Sequence, residues 1–180
     1  MKQIIFNYDY LRAAMPHTAN RDVRFYLQGV YLGDGFMAAT DGHRLIMIND
    51  ECFAGCDHII PREAVDFFIK KCKNNPISKE VTLTMQDDGF NILELLGNYE
   101  YFKFIDGKFP QVQRVDIPKP EKSEGNPQFN IAYMNDFLKS LKILSGSNHH
   151  TSIKITTNNN QSAYVDLTDN AHGIIMPLRD

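Results

Sequence analysis

Three stretches of this chain follow one pattern, and that repetition limits the fold more than any other feature. They are QIIFNYDYLRAAM from Gln3, HIIPREAVDFFIKKC from His58 and QFNIAYMNDFLKSLKIL from Gln128. Each opens with a short alternating or apolar run, the period of a strand, and then changes to helical spacing. Leu11, Ala14 and Met15 share a face of the first helix. Val65, Phe68 and Ile69 do so in the second, and Phe137, Leu141 and Leu144 in the third. Strand-like runs follow each helix: VRFYLQGVYL and GFMAATDGHRLIMI, then EVTLTMQ, FNILELLG and YEYFKFI, then SIKITTN, SAYVDLT and AHGIIMPLR. Turn residues divide them at LGDG, DDG and NNN. One such unit cannot cover both faces of its own sheet, so the units must pack on one another. The expected class is α+β, with mostly antiparallel sheets on one side and helices on the other.

The units divide at about residues 1–57, 58–118 and 128–180. The first two form one domain, 1–118, and the third is a separate half-domain. Between them PKPEKSEGNP, Pro118 to Pro127, is proline-rich and charged and has no apolar anchor, so 119–127 reads as a linker. A chain of 180 residues buries an ample core without staples. Its net charge of -3 argues against nucleic-acid binding by general basicity and leaves room for a local basic face. MKQIIFNYDY has no apolar core of the signal-peptide kind, and no apolar run approaches the ~20 residues of a membrane span. The expectation is a cytoplasmic protein that binds no membrane. Cys52, Cys56 and Cys72 are too few for a disulfide framework. Cys52, Cys56 and His58 bring no second close ligand pair, so reduced thiols are expected in place of zinc. No metal or cofactor is expected.

The densest polar cluster is ATDGHRLIMI, Ala39 to Ile48. Asp41, His43 and Arg44 fit a catalytic cluster, half a metal site or a tight turn. The first two readings lack partners: no serine or cysteine nucleophile sits in a recognisable motif, and His43 has no evident base or second ligand. His149 and His150 are adjacent, point oppositely on an extended chain and make a poor metal clamp. Turn chemistry explains the cluster on its own terms. Asp41 caps the bend, Gly42 takes a backbone conformation closed to side chains, and Asp and Arg satisfy each other. In NRDVRFYLQG, Asn20 and Arg21 read as a turn. Val23, Phe25 and Leu27 alternate with Arg24, Tyr26 and Gln28 as in a half-buried strand, with core packing expected of Phe25 more than of Tyr26.

RDVRFYLQG, ATDGHRL, DGKFPQVQRV and the terminal IIMPLR resemble, in the same order, signature stretches of the bacterial DNA polymerase III beta subunit, the sliding-clamp family of replication. Residues 1 to about 118 resemble the family's middle domain, and residues from about 128 to 180 the second half of its last domain. A family subunit holds six units, and this chain three.

The resemblance implies a non-catalytic DNA replication and processivity factor with a DNA-clamp-like fold, whose helices face duplex DNA without sequence preference. The residues so implied are Arg12, Arg21, Arg24, Phe25, Tyr26, Lys70, Lys71, Lys73, Lys139 and Lys142. From charge alone, ordinary solvated helix faces are the preferred explanation of these lysines and arginines, and it is the resemblance that reverses the preference. The resemblance also implies a hydrophobic pocket for short peptides of polymerases and clamp-loader proteins. It would use Leu27, Thr40, Gly42, His43, Arg44, Leu45, Pro118, Ile174, Ile175, Met176, Pro177, Leu178 and Arg179. Met176 offers a soft wall, and Arg44 and Arg179 would pair with acidic groups or carbonyls of the peptide. Asp180 stands where the family commonly has an apolar residue, which bears on the choice of peptide.

Rings of this architecture count twelve units, so three units per chain imply a homotetrameric ring. The alternative is a monomeric or dimeric peptide-binding module that competes for, or adapts, clamp-binding partners without encircling DNA.

Overall fold

The computed structural model describes residues 1–73 and 77–178. Strand β1 (Lys2–Asn7) leads into helix α1 (Tyr8–Ala14), then β2 (Gly29–Gly33), β3 (Phe36–Thr40) and β4 (Arg44–Asn49). The second unit runs β5 (His58–Pro61), α2 (Arg62–Cys72), β6 (Glu80–Met85), β7 (Asn91–Leu95) and β8 (Asn98–Phe102). The third has α3 (Ile131–Ser145), β9 (Lys154–Thr156), β10 (Ala163–Thr168) and β11 (Ala171–Ile175). The α+β class and the antiparallel pairing are as the sequence predicts.

The first two units exchange their opening strands. β1 joins the sheet of the second unit, ordered β1-β6-β7-β8, and β5 joins that of the first. The alternation in β1 explains why: Ile4 and Phe6 are buried opposite Leu83 and Val81, while Ile5 faces out. The sheet carrying β5 continues into the third unit in the order β5-β2-β3-β4-β11-β10-β9. Its joint is antiparallel, Leu45 facing Ile174 and Ile46 facing Gly173.

The larger core lies between the sheets and the helices and contains the fully buried Phe53, Phe68 and Phe137. Each such side chain contributes about 1.5–3 kcal/mol relative to exposure. α1 packs directly on α3. α3 begins at the Asn130 cap, whose side chain accepts the Ala132 N–H at 2.9 Å, and ends at Gly146 in the left-handed region. Gly173 lets it come this close: a Cβ there would overlap the Phe137 ring. A second, smaller core covers the outer face of the long sheet, with Leu27, Leu45, Phe109, Val112 and Ile174 at its centre.

Three local expectations fail. Residues 128–130 form no strand; the Gln128 carbonyl accepts the Leu178 N–H at 2.8 Å, and Asn130 caps the helix. Val23 to Gln28 is no strand either. Phe25–Leu27 is a single 3-10 turn, so alternation has no meaning there: Val23 is 96% exposed and Leu27 is buried. Phe25 is half exposed and packs less deeply than Tyr26, the reverse of expectation. The linker is tied down as well. Glu124 forms a parallel bridge to Asn158, and Lys119 pairs with Asp166 at 2.6 Å, so polar contacts replace the missing apolar anchor.

Candidate functional site

The bend between β3 and β4 is built from its own side chains. The Thr40 hydroxyl donates to the Arg44 carbonyl at 2.6 Å and accepts the Gly42 N–H at 3.0 Å. Asp41 accepts the N–H groups of His43 and Arg44 at 2.9 and 3.2 Å. Gly42 has φ 93, a conformation that calls for glycine, and a Cβ there would stand 2.7 Å from the Arg24 guanidinium, which would have to move aside. The chain just after β11 zips onto this bend, the Met176 N–H donating to the His43 carbonyl at 2.9 Å.

Arg44 is committed inside the protein. Its guanidinium reaches Asp41 at 3.0 Å, Asp136 of α3 at 2.8 Å and the Pro16 carbonyl at 2.6 Å, and lies 4.3 Å from the Tyr133 ring centre. The pairing with peptide groups expected of Arg44 is therefore corrected. Its planar fork is used to tie the bend to the third unit, and only the internal Asp–Arg pairing of the turn reading holds. Together with Lys139, Arg44 holds the Asp136 carboxyl below the usual range against the opposing effect of burial.

Beside the bend lies an apolar cavity of about 220 Å³. Leu27, Thr40, Gly42, His43, Arg44, Leu45, Ile174 and Met176 line it, all singled out in the sequence. A neighbouring groove of about 700 Å³ shares Gly42, His43 and Met176 and adds Pro177 and Leu178. Ile175 is not in the wall. Alternation along β11 turns it into the larger core, where it is fully buried. Pro118 is exposed and lines neither space. Arg179, like Asp180, falls outside the described residues.

The sequence reading missed Pro110, Val112, Val115 and Ser162, which complete the cavity wall. Val112 and Val115 come from a 3-10 turn, Val112–Arg114, and its C-cap, and the apolar spacing within PQVQRV was the available signal. Arg24 and Tyr26, assigned to DNA, also line the cavity. Arg24 folds back on Asp22 at 2.6 Å and on the Asp41 carbonyl at 3.1 Å. Its hydrogen bonds lower the Asp22 pKa to about 2.

The helix cations are distributed unevenly. Arg12 pairs with Asp9 at 2.7 Å, Lys70 with Asp66 at 2.6 Å, Lys71 with Glu100 at 2.6 Å and Lys139 with Asp136 at 2.9 Å. Arg21, Lys73 and Lys142 have no acidic partner among the described residues. Arg21 takes φ 57 in the exposed turn before Phe25.

The fold is that of the bacterial sliding clamps. Across 99% of the chain it is similar to the Pseudomonas aeruginosa clamp structure (TM-score 0.74, 18% identity, 67% of that chain covered). It is similar at TM-score 0.74 and 17% identity to the Bartonella birtlesii clamp solved bound to griselimycin, of which it covers 66%. In sequence the chain is similar to the Salmonella typhimurium beta sliding clamp, 28% identical over 169 residues, covering 86% of this chain and 45% of that protein. It is 31% identical over 113 residues to the Proteus mirabilis beta sliding clamp, covering 58% of this chain and 30% of that protein. The chain thus spans less than half the length of these curated relatives. No family model matches it. The resemblance carried by the four motifs is borne out in both sequence and fold.

Proposed function

We propose that this protein is a non-catalytic, clamp-like replication accessory protein of the cytoplasm. It grips short peptide segments of DNA polymerases and clamp-loader proteins in the groove beside Gly42, and meets duplex DNA through its helix layer without reading sequence. The observation that carries this reading is the meeting of the Gly42 bend and the Met176 segment around one apolar cavity with a polar rim. Such a groove suits one or two apolar anchors of a linear peptide, with backbone groups fixing its direction. The domain limits, 1–118 and 128–180, and assembly of four chains into a twelve-unit ring belong to the same proposal.

The test is fluorescence anisotropy with a labelled peptide carrying glutamine, a short gap, then leucine and phenylalanine. Binding in the micromolar range is expected. Met176→Glu with Val115→Glu should weaken it at least tenfold. Both side chains are part-exposed, 41% and 44%, so the melting temperature should stay put, whereas Leu45 is core and its loss would confound the result. Unchanged binding in the double variant refutes the groove.

The ion pairs on Arg12, Lys70, Lys71 and Lys139 favour a second reading, a peptide-binding module that does not encircle DNA. A DNA affinity that falls steeply with salt, and whose slope drops on Arg21→Ala with Lys142→Ala, supports the clamp reading. Salt-independent or absent binding supports the module.

A further inference from the structure

We infer that the contact between Asp116 and His172 is a proton-dependent pin: it positions one wall of the groove, and that wall is held more tightly when the imidazole is charged. That the wall serves a peptide rests on the groove reading above. That the pin responds to protons does not.

The wall needs holding. Val112 is buried in the smaller core, but Val115, which also lines the cavity, is 44% exposed. Both belong to the stretch after β8, whereas Ile174 and Met176 opposite them belong to the third unit. The backbone beyond Val112 closes only on itself: the N–H groups of Val115 and Asp116 donate to the Val112 carbonyl at 3.0 and 2.8 Å. Side chains make the crossing to the third unit. Asp116 meets Nε2 of His172 at 2.7 Å, Lys119 meets Asp166 at 2.6 Å, and Ile117 packs partly against the smaller core. Asp116 directly follows Val115 in the chain. His172 lies two residues before Ile174 on β11, so the two share one face of the strand. The pin therefore joins the two walls next to the cavity they enclose.

The charges around His172 are out of balance by one proton. Asp116 faces it from the stretch after β8, Tyr164 and Asp166 from β10, and Lys119 from the linker; its partner on β4, Met47, is uncharged. The Tyr164 ring lies parallel to the imidazole with 5.0 Å between centres, and the Lys119 ammonium is 5.9 Å from that ring's centre. Burial raises the Tyr164 pKa, Asp166 and Asp116 add to this and Lys119 opposes it, so all three charges act on the one stack. While the imidazole is neutral, two carboxylates share one ammonium, and Oδ2 of Asp166 is buried with no hydrogen-bond partner among the described residues. A carboxylate only accepts, so the neutral ring donates from Nε2 and a further proton enters at Nδ1. That proton converts a hydrogen bond into an ion pair and neutralises the cluster. The side chains of His172 and Asp116 are 13% and 29% exposed, which limits screening by salt. The pin is therefore strongest on the acid side and weakens as pH rises through the range in which imidazoles lose their proton.

Amide exchange of residues 112–119 in the full chain at pH 6 and pH 8, read beside anisotropy of the labelled peptide, tests this. His172→Gln keeps a donor for Asp116, and Asp116→Asn keeps an acceptor for His172, but neither can form the ion pair. Comparison with the wild type at the same pH cancels the intrinsic pH dependence of exchange. It also cancels the titration of His43, which lines the groove in all three proteins. Circular dichroism checks the fold, and if one variant unfolds the other carries the comparison. The ratio of wild-type to variant protection should be about threefold or more higher at pH 6 than at pH 8, the scale of a part-exposed ion pair. Peptide affinity should gain a similar factor, because a wall already in place need not be ordered on binding. A protection ratio that is equal at the two pH values overturns the inference. So does a shifted ratio with the same pH profile of peptide affinity in all three proteins. A wild type that shows the shift and binds no peptide upholds the pin and refutes the groove alone.

Discussion

Lowering the pH from 8 to 5 should cost this protein about 2 kcal/mol through one histidine. His17 closes the 3-10 turn after α1 and is wholly buried against α3. Its Nε2 lies 3.0 Å from the Ser140 hydroxyl, its ring centre is 4.5 Å from that of Phe137, and its Nδ1 has no partner. Burial, with Arg44 adding and Asp136 opposing, lowers its pKa from 6.5 to about 3. Between those values the unfolded chain binds a proton that the folded chain refuses. Stability is therefore complete above pH 6.5 and falls as pH drops toward 3, with a limiting slope of about 1.4 kcal/mol per pH unit. The loss at pH 5 is then about 2 kcal/mol, a large part of a typical folding free energy. Carboxylates lowered by their partners, such as Asp50 and Asp136, lose their contribution as pH falls below the ordinary 3.8, outside this window. His58 is also lowered, chiefly by burial, and its share is removed by comparison with His17→Phe. That variant keeps a ring against Phe137 and leaves Ser140 its carbonyl acceptors, Ala13 and Asp136. Urea unfolding at pH 8 and pH 5 should show the wild type losing about 2 kcal/mol more than the variant. Equal losses would refute the reasoning.

Two more substitutions probe the same joint. Arg44→Ala leaves Asp41 and Asp136 without their shared cation and should cost about 3–5 kcal/mol in urea unfolding; Arg44→Lys should recover little, because an ammonium cannot reach three acceptors in a plane. Gly173→Ala should cost about 1–3 kcal/mol, because the new methyl must displace the Phe137 ring; amide exchange should speed up in α3 and β9–β11 before it does in β6–β8.

Periodicity made the units legible: the buried faces of all three helices follow from spacing, as do the strands that alternate cleanly, such as β1 and β7. It failed where one turn of 3-10 helix replaced a strand, because Phe25–Leu27 supplies too few residues to reveal a period. The exchange of β1 and β5 left no local trace, since a strand's sequence records which face is buried and not which neighbour it pairs with. The bend at Gly42 was readable because turns are made by their own side chains. The destination of Arg44 was not, because its partners Asp136 and Pro16 are brought to it by tertiary packing. Ile175 was misplaced for a simple reason: a motif names a run of residues, whereas a strand gives alternate residues to opposite faces.

The groove and the joint between the first and third units are one object. Gly42 and Leu45 come from the first unit and Ile174 and Met176 from the third, and what brings them together is the β4–β11 ladder above and the contacts of Arg44, His17 and Phe137 below. A ligand in the groove touches both units, so it stabilises their docking by as much as docking improves its affinity. This also explains why the buried Arg44 faces inward. A cation aimed into the groove would serve one ligand group, whereas the same cation between Asp41 and Asp136 fixes the distance between the groove's two walls.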